Sequence, residues 1–186
     1  MKYFGTDGIR STFEKTFLNE NFSFALGEAL GKFMKEKNVR GNKVLIGRDT
    51  RPSGEVLLNS FNQGLKENGF YGISAGVLPT PALAFGVMEK KMSMGVMITA
   101  SHNPAKDNGF KFFSSEGKKL SNSEEESIEK KIYIKKRKLQ VIETESIEII
   151  DSYIKYILGL FPANMLKQKK IVIDLSNGAT QQTTPI

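Results

Sequence analysis

Between Phe22 and Ile98 the hydrophobic pattern switches repeatedly between a helical stripe and a short continuous run, and few architectures tolerate that alternation. Phe22, Ala25, Leu26, Ala29, Leu30, Phe33 and Met34 recur at i, i+3, i+4 and i+7, which predicts an amphipathic helix. Asn38–Asn42, with Gly41, breaks it, and Lys43–Gly47 reads as a short buried strand. Ser53 is placed to cap a second helix bearing Val56, Leu57, Phe61 and Leu65, which stops at Asn68-Gly69. Phe70–Ala75 is a second strand candidate. Thr80-Pro81 then supplies a cap residue with proline at the first helical position of a helix over 81–91. Met94–Thr99 and Phe110–Phe113 read as strands. Ser123-Glu124-Glu125-Glu126 has the form of a capping box, with Lys130-Lys131 in that helix's last turn. After the apolar segment Leu139–Ile142, a long helix carries Ile147, Ile150, Ile154, Ile157 and Phe161, and Pro162 ends it. Ile171–Leu175 reads as a further buried strand. Strands alternating with helices imply a layered α/β domain. It is placed at residues 1–155, with 156–186 expected as a linker and the first strand of an incomplete second domain.

Composition removes several function classes. No apolar run approaches a membrane span, no cleavable leader is read at the start, and no membrane role is expected. The sequence has no cysteine, which excludes disulfides and thiolate metal sites and fits a cytoplasmic location. The net charge is +7. Lys130, Lys131, Lys135, Lys136, Arg137 and Lys138 fall close together, and Lys167, Lys169 and Lys170 add to the excess. Such a run either binds nucleic acid or is a solvated connector. Tyr133 is the one aromatic in the run, not the interleaved stacking series that a single-strand binder needs, so the connector is expected and nucleic acid is not.

Chemistry concentrates in four loops. Gly5-Thr6-Asp7-Gly8-Ile9-Arg10 is the first, and Gly47-Arg48-Asp49-Thr50-Arg51-Pro52-Ser53-Gly54 the second. The second is not a P-loop, lacking the Gly-Lys-Ser/Thr ending; Arg48 and Arg51 are expected to fasten it through Asp49. Gly76-Val77-Leu78-Pro79-Thr80-Pro81 is the third. The fourth, after Gly95-Val96-Met97-Ile98-Thr99-Ala100, presents a hydroxyl, Ser101, beside the chain's only histidine, His102. Asn103-Pro104 ends regular structure there, Asp107-Asn108-Gly109 is a turn signal, and Lys111 follows on a strand. In open α/β sheets ligands bind at loops beyond the strand ends, as these loops are placed.

In this order and spacing the four loops resemble the first domain of the α-D-phosphohexomutase superfamily, over nearly the whole chain. Thr99-Ala100-Ser101-His102-Asn103-Pro104 with Asp107-Asn108-Gly109 is similar to that family's phosphoserine loop. Phe4-Gly5-Thr6-Asp7-Gly8-Ile9-Arg10, Lys111-Phe112-Phe113-Ser114 and Gly117-Lys118-Lys119-Leu120 look most like its bacterial amino-sugar branch, with the glucose and mannose branches close by. The resemblance implies a three-layer αβα domain with a mixed sheet. It implies that Ser101 carries a phosphoryl group, donates it to a hexosamine phosphate and recovers the other phosphate of the resulting bisphosphate. Glucosamine 6-phosphate and glucosamine 1-phosphate would thereby interconvert. Arg10, Lys111 and Asn103 would contact phosphate, with Lys111 a candidate general acid/base and Arg10 and His102 further active-site contacts; His102 alternatively only bonds the loop. Mg²⁺ would bridge the phosphate on Ser101. Asp174 would be structural.

Two departures from the family pattern stand out. Arg10 is followed by Ser11 where the family has glycine, which is expected to tighten a turn there, and Phe110 replaces isoleucine. Family members have four domains, so the chain is expected to stop inside the second and to be inactive alone, with a separate fragment carrying the other domains as a candidate partner. A non-catalytic module that kept the fold is the competing reading.

Overall fold

The computed structural model describes residues 1–184. Its elements in chain order are β1 (Phe4–Gly5), β2 (Gly8–Thr12), α1 (Glu20–Glu36), β3 (Lys43–Arg48), α2 (Gly54–Lys66), β4 (Tyr71–Val77), α3 (Thr80–Glu89), β5 (Met94–Ile98), β6 (Asp107–Ser114), α4 (Asn122–Glu129) and α5 (Ile150–Gly159). The strands form one sheet in the order β1-β2-β6-β5-β3-β4. β3 pairs in parallel with both β4 and β5, and the β6, β2 and β1 pairings are antiparallel. The sheet is therefore mixed, as expected.

Two apolar cores flank it, which makes three layers. On one face the α1 stripe and Leu57, Phe61 and Leu65 of α2 pack on Val44, Ile46, Val96, Ile98, Phe110 and Phe112. On the other, Ala82, Leu83 and Val87 of α3 and Ile149 and Ile150 at the start of α5 cover Leu45, Met97 and Phe113. Strand positions alternate between the two cores, as a pleat requires.

Several boundaries differ from the sequence reading, each for a physical reason. The first loop is a hairpin, Gly5 opposite Gly8, and Arg10 lies inside β2. Ser11 pairs with Asn108 in that strand, so no turn exists behind Arg10 to be tightened. The Asp107-Asn108-Gly109 turn signal is overridden because these residues pair with Thr12, Ser11 and Arg10. α1 starts earlier than its apolar stripe, at Glu20, because the Asn19 side chain accepts from the Phe22 N–H. Ser53 sits at the cap of α2 without capping it; its hydroxyl accepts from Asn108 Nδ2 instead, at 2.8 Å. Pro79, not Thr80, precedes α3. The capping box is Ser121 with Glu124, two residues before the expected one, so Lys130 and Lys131 lie just past the helix end. α5 begins at Ile150, and Ile147 stays outside it. Residues 171–175 form no strand: they make no ladder and Val172 is 97% exposed, because a lone apolar segment has no sheet edge to join.

The connector after α4 is bound to the domain along much of its length. The Arg137 guanidinium lies 4.3 Å from the centre of the Phe24 ring and pairs with Glu28, while its backbone N–H donates to Asn21. Asn59 and Gln63 hold Gln140, and Asn62 holds Thr144. Ser74 of β4 then donates to Glu145 and accepts from Ile147. This strap covers the outer edge of β4, which would otherwise present unpaired backbone groups, and leads into α5 on the opposite face.

The chain start is tied down by Glu129, whose carboxylate accepts the N–H groups of Lys2, Tyr3 and Phe4. Burial alone raises its pKa, but these three donors outweigh that and leave it lowered.

α1 and α2 approach unusually closely. A methyl group built on Gly27 would stand 2.1 Å from the Phe61 carbonyl oxygen, and one on Gly64 would stand 2.0 Å from that of Phe24. Backbone blocks both, so neither can be accommodated by side-chain movement. Gly27→Ala and Gly64→Ala are each expected to destabilise by about 1–3 kcal/mol, despite alanine's better helix propensity. Gly159→Ala in α5, where nothing lies within 4 Å, should be neutral or stabilising. Urea denaturation of the three variants measures this.

Candidate active site

The parallel strands β3, β4 and β5 release their following loops at one edge of the sheet. A cavity of about 840 Å³ opens there. It is lined from the second loop by Asp49 and Arg51, from the third by Pro79 and Thr80, and from the fourth by Ser101, His102 and Asn103. Residues 176–179 close another side, with Thr50 Oγ1 donating to the Asn177 carbonyl at 2.8 Å.

Ser101 is exposed and has a φ of 59°, in the left-handed region that an L-residue other than glycine seldom enters. Its Oγ has one near partner, His102 Nδ1 at 3.5 Å, the outer limit of a hydrogen bond. Asn103 Nδ2 donates to Asp107 Oδ2 at 3.0 Å, so its side chain is used within the loop. Thr12 Oγ1 donates to the other oxygen of Asp107, and these two hydrogen bonds, that from Thr12 foremost, hold the Asp107 carboxyl below its ordinary pKa.

Arg51 ties the loops together. Its Nε donates to Asp49 Oδ2 at 2.9 Å, Nη1 to the carbonyls of Pro104 and Asp107, and Nη2 to those of Ser101 and Asn103. Asp49 also accepts from Thr99 Oγ1 at 2.6 Å, and Thr99 Oγ1 accepts the Ser101 N–H at 2.9 Å. Arg48 does not share this role. It pairs with Glu55 at the start of α2 and reaches Asp49 only at its carbonyl oxygen, 3.5 Å from Nη1, so the expectation that both arginines fasten the loop through Asp49 is carried chiefly by Arg51.

Arg10 and Lys111 do not line the cavity. They meet at Asp7, whose Oδ2 lies 2.5 Å from Arg10 Nη2 and 2.7 Å from Lys111 Nζ. Arg10 is nonetheless near: it pairs with Gly109 across β2–β6, and the Gly109 carbonyl accepts from Thr99 N. At strand spacings of about 4.8 Å, its backbone is roughly 10 Å from that of Thr99, within reach of a long side chain. Arg10 Nε is buried and has no hydrogen-bond partner. The Lys111 hydrogen bond, followed by its charge and that of Arg10, overcomes burial and lowers the Asp7 pKa.

Behind this group lies Glu125 of α4, fully buried, with neither carboxylate oxygen hydrogen-bonded; the Lys119 ammonium is 3.9 Å away. Burial pushes the Glu125 pKa up, against Lys119 and with the charges of Asp7 and Glu124.

The sequence reading gave no role to Asp7, Thr99 or Glu125. Asp7 had a local signal, standing three residues before Arg10. Of the partners of Arg51 only Asp49 was expected; the other four had no signal, because they are backbone carbonyls.

A divalent ion such as Mg²⁺ demands several oxygen ligands in near-octahedral array. Among the described residues no group of three or more histidine or acidic side chains is placed to hold a metal. Both Asp49 oxygens are engaged by Arg51 and Thr99. These residues therefore do not fit a complete magnesium site, and an oxygen on Ser101 is the one ligand they offer. Among them, too, no helix is long and apolar enough to cross a membrane.

The profile described as "Phosphoglucomutase/phosphomannomutase, alpha/beta/alpha domain I" matches residues 1–138. The phosphoglucosamine mutase of Hamiltonella defensa subsp. Acyrthosiphon pisum is 41% identical over 99% of the chain and 42% of the relative. That of Marinomonas sp. is 40% identical with the same coverage. Among solved structures, a putative phosphomannomutase from Thermus thermophilus superposes with a TM-score of 0.78 at 28% identity, over 88% of this chain and 37% of that one. A phosphoglucomutase/phosphomannomutase family protein from Burkholderia thailandensis gives 0.69 at 25% identity, over 84% and 35%. The chain thus spans about two fifths of the length of the curated relatives it matches.

Asp7 and Glu125 predict pH effects of opposite sign. The lowered pKa of Asp7 adds stability that is present above its unfolded value near 4 and lost as pH falls through the folded value. Asp7→Asn should therefore be less stable than the unaltered chain at pH 6, with the gap closing below about pH 3. The raised pKa of Glu125 leaves stability intact below about pH 4 and removes it as pH rises. Glu125→Gln should be the more stable at pH 8, with no difference at pH 4. Denaturant titrations at these pH values test both.

Proposed function

The chain belongs to the phosphoglucomutase/phosphomannomutase family, and from that premise we propose that it is part of a phosphoglucosamine mutase in which Ser101 is the phosphoryl carrier. The observation that carries this reading is the state of Ser101. Its backbone is held in an unfavourable conformation at the mouth of a cavity, while its hydroxyl is exposed and nearly free of partners. Other non-glycine residues of the chain share the left-handed conformation, and what sets Ser101 apart is a nearly unpartnered hydroxyl at the cavity mouth, as a group that exchanges phosphate with a bound sugar requires. The amino sugar is favoured by the relatives in Hamiltonella and Marinomonas, both named phosphoglucosamine mutase; the solved neighbours' names make mannose and glucose phosphates the alternative.

In the proposed reaction the phosphorylated Ser101 meets glucosamine 6-phosphate. The bond from Ser101 Oγ to phosphorus breaks and a bond from the sugar's 1-hydroxyl oxygen forms. That hydroxyl loses its proton, and Ser101 Oγ gains one. The bisphosphate reorients, and its 6-phosphate returns to Ser101 with the same exchange in reverse. Phosphoryl transfer is mostly positioning and charge stabilisation. Arg10, with a buried N–H lacking a partner, is a donor available to phosphate. Lys111 is the proposed proton carrier, and His102, within 3.5 Å of the serine oxygen, a further contact; Asn103 serves chiefly by holding the loop. Asp7 sets the directions of Arg10 and Lys111. Magnesium bound through the serine phosphate, with its remaining ligands from outside these residues, and a cytoplasmic setting complete the proposal.

Intact-mass analysis of the complete gene product should show one phosphate, mapped to Ser101. Ser101→Ala should lower conversion of glucosamine 6-phosphate to glucosamine 1-phosphate by at least about three orders of magnitude. The 186 residues alone should give no turnover. Undiminished activity of Ser101→Ala would sink the reading.

A further inference from the structure

We infer that the Asp49–Arg51 ion pair positions the Ser101 hydroxyl for phosphoryl exchange, by gripping both backbone polar groups of Ser101; the inference rests on the phosphoserine reading above. A left-handed conformation costs an L-residue about 1–2 kcal/mol, so something outside Ser101 must hold it. Its own hydroxyl does not, being 3.5 Å from its nearest partner. Both of its main-chain groups lead instead to one ion pair. The carbonyl accepts directly from Arg51 Nη2. The N–H donates to Thr99 Oγ1, which donates to Asp49 Oδ2, the same oxygen that accepts from Arg51 Nε. Asp49, Thr99, Ser101 and Arg51 thus close a ring around the φ and ψ of a single residue.

The ring is rigid for two reasons. All five guanidinium N–H groups are used, one on Asp49 and four on the carbonyls of Ser101, Asn103, Pro104 and Asp107. The side chains of Arg51 and Asp49 are also only 9% and 13% exposed, so water competes weakly for the ion pair between them. Lysine cannot replace this fork. It is a point charge with three donors and keeps the pair with Asp49 at best. Arg51 is a positioning residue: it faces the serine loop's backbone and moves no proton in the proposed transfer.

The test uses the complete gene product, dephosphorylated, with glucosamine 1,6-bisphosphate as the phosphoryl donor. The first-order rate constant and the final extent of Ser101 labelling are followed by mass spectrometry. A role confined to folding stability lowers the extent, because fewer molecules are competent, and leaves the rate constant alone. Positioning lowers the rate constant in every molecule. Arg51→Lys is expected to label on the order of 10²-fold more slowly, the effect of a misplacement of about 1 Å. Methylguanidinium should speed the labelling of Arg51→Ala. Thr99→Val, which cuts only the link to the Ser101 N–H, should slow labelling by about tenfold or more, and it decides the matter if Arg51→Lys does not fold. An unchanged rate constant in the folded variants overturns the inference while leaving the phosphoserine reading intact. Failure of the unaltered protein to label at Ser101 overturns that reading, and the inference with it.

Discussion

Parallel pairing of β3 with both neighbours is the constraint from which the site follows. Three strands running the same way must return by crossovers, here α2 and α3, and so must release their outgoing loops at one edge. That geometry, and no attraction among the loops themselves, collects Asp49, Thr80 and Ser101 around one cavity. The antiparallel strands do the complementary work. β6 runs back beside β5 and carries Lys111, and β2 adds Arg10 alongside. Two cationic side chains thereby meet at Asp7, without belonging to the cavity wall.

The Arg51 guanidinium turns proximity into order. Loops have few backbone partners of their own, and an exposed carbonyl normally bonds to water. Here four carbonyls of one loop converge on a single planar cation. Arg48 illustrates the contrast. It has the same chemistry three residues earlier, but it pairs with Glu55 at the entry of α2 and reaches a single carbonyl, that of Asp49, at 3.5 Å.

Much of this fold was legible in the sequence because its periods are local. The α1 stripe, the β3 run and the β5 run each announce themselves within a dozen residues, and the four loops stand out by composition between them. What was not legible depended on distant partners. Gly5–Arg10 reads as a glycine-rich loop because the two-residue β1 acquires meaning only with β2 beside it, and β2 only with β6. Asp107-Asn108-Gly109 has the letters of a turn, and tertiary pairing overrode them. The helix cap at Ser121 rather than Ser123 was undecidable locally, since both serines have a glutamate three residues on. Ile171–Leu175 has the composition of a buried strand but no sheet to enter among the described residues. At the site, Ser101 and His102 were visible as side chains; the grip of Arg51 was not, because backbone acceptors have no letter in a sequence.

The left-handed backbone at Ser101 has an evolutionary consequence. Glycine adopts that conformation without penalty, so replacing the serine by glycine would relieve strain of about 1 kcal/mol. The substitution that removes the hydroxyl is thus one the fold would welcome. A library screened only for heat resistance would drift toward glycine at this position and enrich sturdy proteins without the hydroxyl. On the proposed phosphoryl-carrier role, serine at 101 is kept by selection for turnover, against a gradient that the scaffold itself supplies.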